Sequence, residues 1–422
     1  MSIQTSLQRI KAGFLPSFWV ANVMELFERI AYYGQATILS IFLRNHLKFN
    51  EIDTGRLSSI FGGLIYFLPI FAGALADKFG FKKAFSFAFL VLALGYFMIG
   101  ATGMAAFSGL FDSANLFWIL IVILIFTAIG GSFIKPSVLG TVALTSSPET
   151  KSIGYAIYYW LVNIGGALGP LFAYLVRDHI GIQYVYVVSS ACCALMLIST
   201  ILFYKEPTGE AAGKVSIIQV IKNLTLVVKN AKFMIFLLIF SLYWLMFWQI
   251  YIIIPFYVTD YIAKDAPFEL ISSVGAWGII LFQLLVNFLT KKLAPINAIV
   301  IGFSVSTVCW LLIMLNPSIP LIIAGLVIFS MGEMTQAPRY YEYIADLAPK
   351  GQAALFQGYA FLPIAIGWFF GGNLGGWLYK IFATDTNQPK MIFLVLFGIG
   401  VLATVLMLIY NLVIKKIAKT AA

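Results

Sequence analysis

Charge is scarce in this sequence. Asp, Glu, Lys and Arg make up 10% of the 422 residues, against 61% hydrophobic and 16% aromatic. A soluble domain carries about a quarter charged residues, so globular classes that live in water are excluded. Histidine is nearly absent: His46 and His179 are the two in the chain, both expected at outer helix ends. That leaves no buried histidine relay, and any proton work falls to carboxylates. Cys192, Cys193 and Cys309 all sit inside apolar runs, so neither a disulfide framework nor a metal-binding spacing exists and a small-core role is expected. With no membrane-embedded histidine and no separate soluble domain, no nucleophile and base can be assembled; an enzyme is not expected, and neither is a metal or cofactor. The net charge of +10 is spread over loops rather than gathered in a basic domain, which excludes a nucleic-acid partner.

What the sequence has in excess is long apolar runs. Twelve approach the ~20 residues that cross a bilayer, near 15–44, 55–76, 84–104, 116–142, 152–176, 183–204, 233–259, 269–290, 295–315, 320–345, 353–380 and 391–414. Most of the 27 Lys and Arg fall at the termini and the even-numbered junctions, so both termini are expected in the cytoplasm. Met1 to Phe14 contains Arg9 and Lys11 but no apolar core with a cleavage site, so no cleavable signal is expected there. The expectation is an all-α membrane protein of twelve transmembrane helices in two six-helix halves, 1–204 and 233–422. They are joined by a cytoplasmic linker, 205–232. Within the linker Ile217, Val220, Ile221, Leu224, Val227 and Val228 share one helical face opposite Lys222, Asn223 and Lys229, the pattern of a helix lying on a membrane surface. A weak repeat supports the halves: Gly154-Tyr155-Ala156 returns as Gly358-Tyr359-Ala360, and the same offset carries Lys135 to Arg339.

The first span breaks the apolar rule. Glu25, Glu28, Arg29, Tyr32 and Tyr33 follow the i, i+3, i+4, i+7, i+8 spacing and line one stripe of a helix. A charge near the bilayer centre costs about 2.5–3.5 kcal/mol on insertion scales, so such groups face a partner or a watery cavity. Either a structural ion pair or a transport pathway fits that stripe. Counting helix-embedded groups, Glu25, Glu28, Glu333 and Glu342 oppose Arg29, Lys135 and Arg339. The surplus acid is suited to carry a proton, because a poorly solvated carboxylate alternates between a proton and a cation.

Several of these residues form motifs. Gly73-Ala-Leu-Ala-Asp77-Lys78-Phe-Gly80-Phe-Lys82-Lys83 resembles the loop signature of the major facilitator superfamily. The first-span stripe with Gly34 resembles the E-x-x-E-R and Y-Y-G motifs of the proton-dependent oligopeptide transporters within it. Phe133-Ile-Lys135-Pro136, Asn163-Ile-Gly165 and Gly332-Glu333 with Pro338 resemble that family's F-K-P, N-x-G and G-E-L-x-x-S-P. The resemblance implies a proton-coupled symporter of di- and tripeptides working by alternating access in the cytoplasmic membrane of a bacterium. A monomer is expected, with a small-molecule substrate, protons and lipid as its partners and the proton gradient as its driving force. Proton-coupling roles fall on Glu25, Glu28, Arg29, Lys135 and Glu333, and Glu333 also takes part in substrate contact and gating.

The departures are specific. Gln35 and Ala36 occupy the places where the family carries a bulky residue and a carboxylate-binding arginine. Trp248-Gln249 stands where it often has an acid before the glutamine. Arg339 with Lys135 is therefore expected to replace the lost arginine. Tyr32, Tyr33, Tyr155, Tyr159, Trp244, Trp248, Tyr251, Tyr340 and Tyr341 are candidate pocket walls, each with membrane packing as its alternative. Asn163, Gln249 and Gln283 are candidate substrate-bonding amides, and Asp77 a cytoplasmic gate. Three other readings compete: a carrier of a non-peptide anionic or carboxylate-bearing solute, a proton antiport exporter, which usually lacks the first-span triad, and a receptor, which has no need of surplus buried acids.

Overall fold

The computed structural model describes residues 13–111, 114–207, 217–349 and 353–421, and the statements below concern these. The stretch read for a signal, up to residue 12, and 208–216 of the linker lie outside them. The helices run α1 (Pro16–Ile41), α2 (Glu51–Phe67), α3 (Pro69–Phe79), α4 (Phe81–Ala101), α5 (Leu116–Ser132), α6 (Ile134–Thr145), α7 (Lys151–His179), α8 (Ile182–Phe203) and α9 (Ile217–Val228). After these come α10 (Ala231–Trp248), α11 (Ile253–Tyr257), α12 (Phe268–Thr290), α13 (Pro295–Leu315), α14 (Ile319–Leu347), α15 (Ala353–Gly358), α16 (Leu362–Leu378) and α17 (Lys390–Ala421). Short 3-10 and π turns join several of them.

Ten of these helical stretches are long and apolar enough to cross a membrane, and α2 with α3, bent by 44°, makes an eleventh. The twelfth expected span is α1. Its 26 residues suffice for a crossing, but Glu25, Glu28 and Arg29 lie in its middle, and composition alone does not pass it.

Prolines mark the interruptions for a common reason: each lacks the N–H that would bond the carbonyl four residues back. Pro69 opens α3 at the bend, and Pro136, in the first turn of α6, leaves Ser132 without its helical donor beside the α5–α6 junction at Phe133. Gly80 ends α3 with φ at 92°, backbone that a side chain would strain. The next helix starts there under the Glu206 carboxylate, whose oxygens accept from the backbone N–H of Phe81 and of Lys82, each at 2.7 Å.

The chain divides into two compact units, Met1–Ile38 with Phe67–Ile221, and Leu39–Tyr66 with Lys222–Ala422. In the first, α1 packs on α7 and α8, and Ser189 Oγ reaches Ala31 O at 3.1 Å. In the second, α2 meets α16 through glycines: a methyl at Gly55 would strike Gly372 O, and one at Gly376 would strike Glu51 O. The C-terminal end of α1 and the residues that follow it belong to this second unit as well. There Arg44 Nη2 lies 2.5 Å from Asp260 Oδ2, Tyr379 Oη donates to the same oxygen at 2.7 Å, and Arg44 Nε is 3.5 Å from Glu51. The linker residues that are described form α9, with Val220 and Val227 buried and Ile221 and Lys222 exposed.

Candidate functional site

The charged face of α1 is buried. Glu25 and Glu28 are 0% exposed and Arg29 3%. Arg29 is bonded to Glu28 Oε2, and its Nε lies 3.4 Å from Glu25 Oε1. Its guanidinium also sits 4.9 Å from the centre of the Tyr32 ring, a cation–π placement. One guanidinium thus serves two carboxylates. Lys135, delivered from α6 by the break at Phe133, is within electrostatic range of Glu25, Glu28 and Arg29.

Glycine geometry holds this cluster against α7. A methyl at Gly165 would collide with Arg29 Cβ and lie 3.2 Å from its carbonyl carbon and 3.3 Å from Ile30 N; one at Gly169 would come within 2.6 Å of Ile30 O and 2.9 Å of Gly34 N. The glycines of Y-Y-G and N-x-G therefore have one physical function: they let two backbones touch where the ion pair sits. Asn163 turns its Nδ2 to Tyr159 O at 2.8 Å. Tyr33 is half-buried, whereas Tyr155 and Tyr159 are exposed.

In the second unit Glu333 is half-buried on α14, with the Tyr243 phenol of α10 in electrostatic range. Gly332 beside it permits the α13 crossing, since a methyl there would strike Gly302 O. Trp248 is 2% exposed and stacks on Trp368 with centroids 4.3 Å apart, with Tyr66 on another side at 5.7 Å. Trp244 is half-buried against Gly367, and Tyr251 is buried.

Four expected substrate contacts have other partners. Arg339 donates to Lys291 O at 3.0 Å and to Glu342 at 2.6 Å; it caps the C-terminal carbonyls of α12, which attract a cation. Tyr340 is 3% exposed, donates to Ala360 O at 2.7 Å and packs on Phe240. Gln249 uses its Nε2 on Leu245 O and Gly371 O, both at 2.9 Å. Gln283 reaches Asn287 at 2.9 Å and Met334 O at 3.4 Å, the carbonyl that Pro338 leaves without its helical donor. Asp77 is half-buried in the last turn of α3.

Sequence reasoning missed three features. Glu206 as the cap of α4 is a contact across 125 residues that no local pattern signals. Glu269, 0% exposed in the first turn of α12, reads in sequence as a helix-start acid. Tyr96, on α4, is fully buried within electrostatic range of Glu28, and its run of apolar neighbours hid it.

Comparison with known proteins agrees with this architecture. A dipeptide and tripeptide permease A from Citrobacter koseri is 32% identical over 159 residues, 37% of this chain and 29% of the permease. The chain thus matches only about 30% of the length of such relatives. Among solved structures, a POT family transporter in complex with a thioalcohol-conjugated peptide superposes with a TM-score of 0.75 at 19% identity, covering 95% of this chain and 96% of that one. The nucleoside transporter NupG gives the same TM-score at 14% identity, covering 93% and 99%. Both likenesses speak to the fold, which they share, and the second shows that the fold alone does not choose the cargo. The Major Facilitator Superfamily profile matches residues 23–264 and 261–420. The chain belongs to the Major Facilitator Superfamily, as an integral multi-pass membrane transporter and not an enzyme.

Proposed function

We propose that this protein is a proton-coupled symporter that takes up di- and tripeptides or a closely related carboxylate-bearing solute. The observation that carries the reading is the buried cluster on α1, two carboxylates sharing one guanidinium with Lys135 nearby. Such a cluster can release Arg29 from Glu28 when a proton arrives and re-form when it leaves. Glu25, Glu28, Arg29, Lys135 and Glu333 take the coupling roles. Tyr32, Tyr33, Tyr155, Asn163, Lys135, Trp244, Trp248 and Glu333 are the proposed substrate contacts. Asp77 acts at the cytoplasmic gate. The partial match to dipeptide and tripeptide permeases supports the peptide class.

Twelve crossings with cytoplasmic termini fit the same reading. Gly165 and Gly169 of α7 meet Arg29 and Gly34 of α1 in rising order, so the two helices run parallel, as a first and a fifth span must. A monomer in a bacterial cytoplasmic membrane completes the proposal.

A non-peptide anionic solute is the second reading. It is favoured by Ala36, which stands where the family carries its carboxylate-binding arginine, and by the engagement of Arg339 with α12. The test is uptake of labelled di- and tripeptides into proteoliposomes under an inward proton gradient, for wild type and Glu28→Gln. Uptake that collapses with the gradient and with Glu28→Gln establishes peptide symport. Glu28-dependent proton flux without peptide uptake selects the second reading, and absence of both refutes the proposal.

A further inference from the structure

The apolar face of α9 is split between protein and surroundings. Residues seven apart return to one line of a helix two turns on, about 10 Å along its axis. Val220 and Val227 form a buried line. Ile221 with Val228, and Lys222 with Lys229, form two exposed lines beside and opposite it. Lys229 belongs to this pattern because its N–H donates to Thr225 O at 3.2 Å and so continues the last turn. Ile218, 67% exposed, and Leu226, 45% exposed, complete the outward side around the lysines. From 217 to 232 the chain holds Lys222, Lys229 and Lys232 and no acid, and all three lysines are exposed. Four large apolar side chains standing among cations are poorly placed in water. With 12 residues, α9 is too short to cross a bilayer. It ends two residues before the span that α10 opens, which holds it at the membrane surface.

We propose that the outward side of α9 seats on the anionic phospholipid headgroups of the bilayer that the protein spans. Ile218, Ile221, Leu226 and Val228 enter the interface, and Lys222 and Lys229 lay their stems among them and carry their ammonium groups to the phosphates. Positive charge unrelieved by any acid supplies the complementarity to an anionic surface. An acidic soluble protein fits less well, because the centre of a protein interface is depleted in lysine, and here the lysines hold the centre of the face. The seat also reaches α10. Asn230 Oδ1 accepts from the Phe233 N–H at 3.1 Å, and Tyr410 Oη donates to Lys232 O at 3.2 Å. The elbow between the helices is thereby fixed, so membrane charge bears on the first turn of the helix that carries Trp244 and Trp248.

The test needs no knowledge of the cargo. A nitroxide is attached at Thr225→Cys, an exposed position on the outward side, and its spectrum is recorded in liposomes of phosphatidylcholine alone or with a third phosphatidylglycerol. Wild type treated in the same way supplies the background, its three cysteines lying in α8 and α13. The ratio of lipid-seated to water-exposed label is expected to rise in the anionic membrane, by about fivefold for each lysine near the surface, and to fall back in high salt. Lys222→Gln with Lys229→Gln should lower that ratio by about 25-fold. Equal ratios in the two membranes, or a double variant that keeps the difference, overturn the proposal. A label that stays in water in both membranes also overturns it and leaves the face to an acidic soluble protein. Native mass spectrometry of the unlabelled protein guards against a disturbance at Thr225: wild type should retain phosphatidylglycerol over phosphatidylcholine and the double variant should lose that preference, and equal retention in the two proteins refutes the seat.

Discussion

Adding one methyl at Gly165 tests whether the α1–α7 contact fixes the ion cluster. In Gly165→Ala the new carbon meets Arg29 Cβ, its carbonyl carbon at 3.2 Å and Ile30 N at 3.3 Å. All three atoms belong to the backbone of α1 or are fixed to it, so no side-chain rotation relieves the clash and the helices must part. Overpacking of this kind costs about 1–3 kcal/mol, and the absence of a flexible partner puts this site at the upper end. Alanine returns up to about 1 kcal/mol through helix propensity, leaving a net loss of roughly 2 kcal/mol. Gly398→Ala is the control, because a methyl there meets nothing within 4 Å and only the propensity gain applies. Thermal unfolding of the purified protein, followed by tryptophan fluorescence, should place Gly165→Ala below wild type and Gly398→Ala at or above it. The reasoning is refuted if the two substitutions move the midpoint equally.

Three further outcomes follow from named contacts. Asp260→Ala removes the common partner of Arg44 and Tyr379 and should cost about 1–3 kcal/mol, with a double-mutant cycle against Arg44→Ala showing coupling; additive effects would mean the pair contributes nothing. Glu206→Gln weakens the double acceptor at the start of α4 and should cost about 1 kcal/mol, read as a lowered melting temperature, with wild-type melting contradicting the capping role. Arg339→Gln should lower the melting temperature while leaving substrate affinity unchanged, because its bonds go to α12 and Glu342; a loss of affinity at constant stability would restore it to the binding site.

The stripe on α1 was legible in sequence because helical periodicity is a local property, and charge in an apolar run stands out against it. The chemistry of Arg339, Gln249 and Gln283 was not legible in the same way. Each is a polar residue in an apolar helix, the very signal that marked Glu28, yet each satisfies a backbone carbonyl: the end of α12, Leu245 with Gly371, or the carbonyl freed by Pro338. Inside a membrane every exposed backbone group must find a partner, so a buried amide or guanidinium has two possible employers, the solute and the helices. Sequence spacing identifies the residue and not the employer. Pro338 was the available clue for Gln283, since an interior proline creates a carbonyl in need of a donor. Nothing comparable pointed to Glu206 or Tyr96, whose partners lie on distant segments.

Charge and glycine on α1 belong to one device. Arg29 pairs with both acids of its own helix, at i−1 and i−4. Such a pair is exposed to lipid unless another helix covers it, and a covering helix with ordinary side chains would stand several ångströms off. Gly165 and Gly169 let α7 close to backbone contact over Arg29 and Gly34, excluding lipid and water from the pair together. In that poorly solvated setting the loss of one charge by protonation changes the balance of the whole cluster, because breaking a buried pair leaves the other charge uncompensated at a cost of about 3–5 kcal/mol. If the cluster carries the coupled proton as proposed, the glycines at one turn's spacing on α7 keep it shielded, and a substitution that parts the two helices should weaken coupling even where it leaves every charged residue in place.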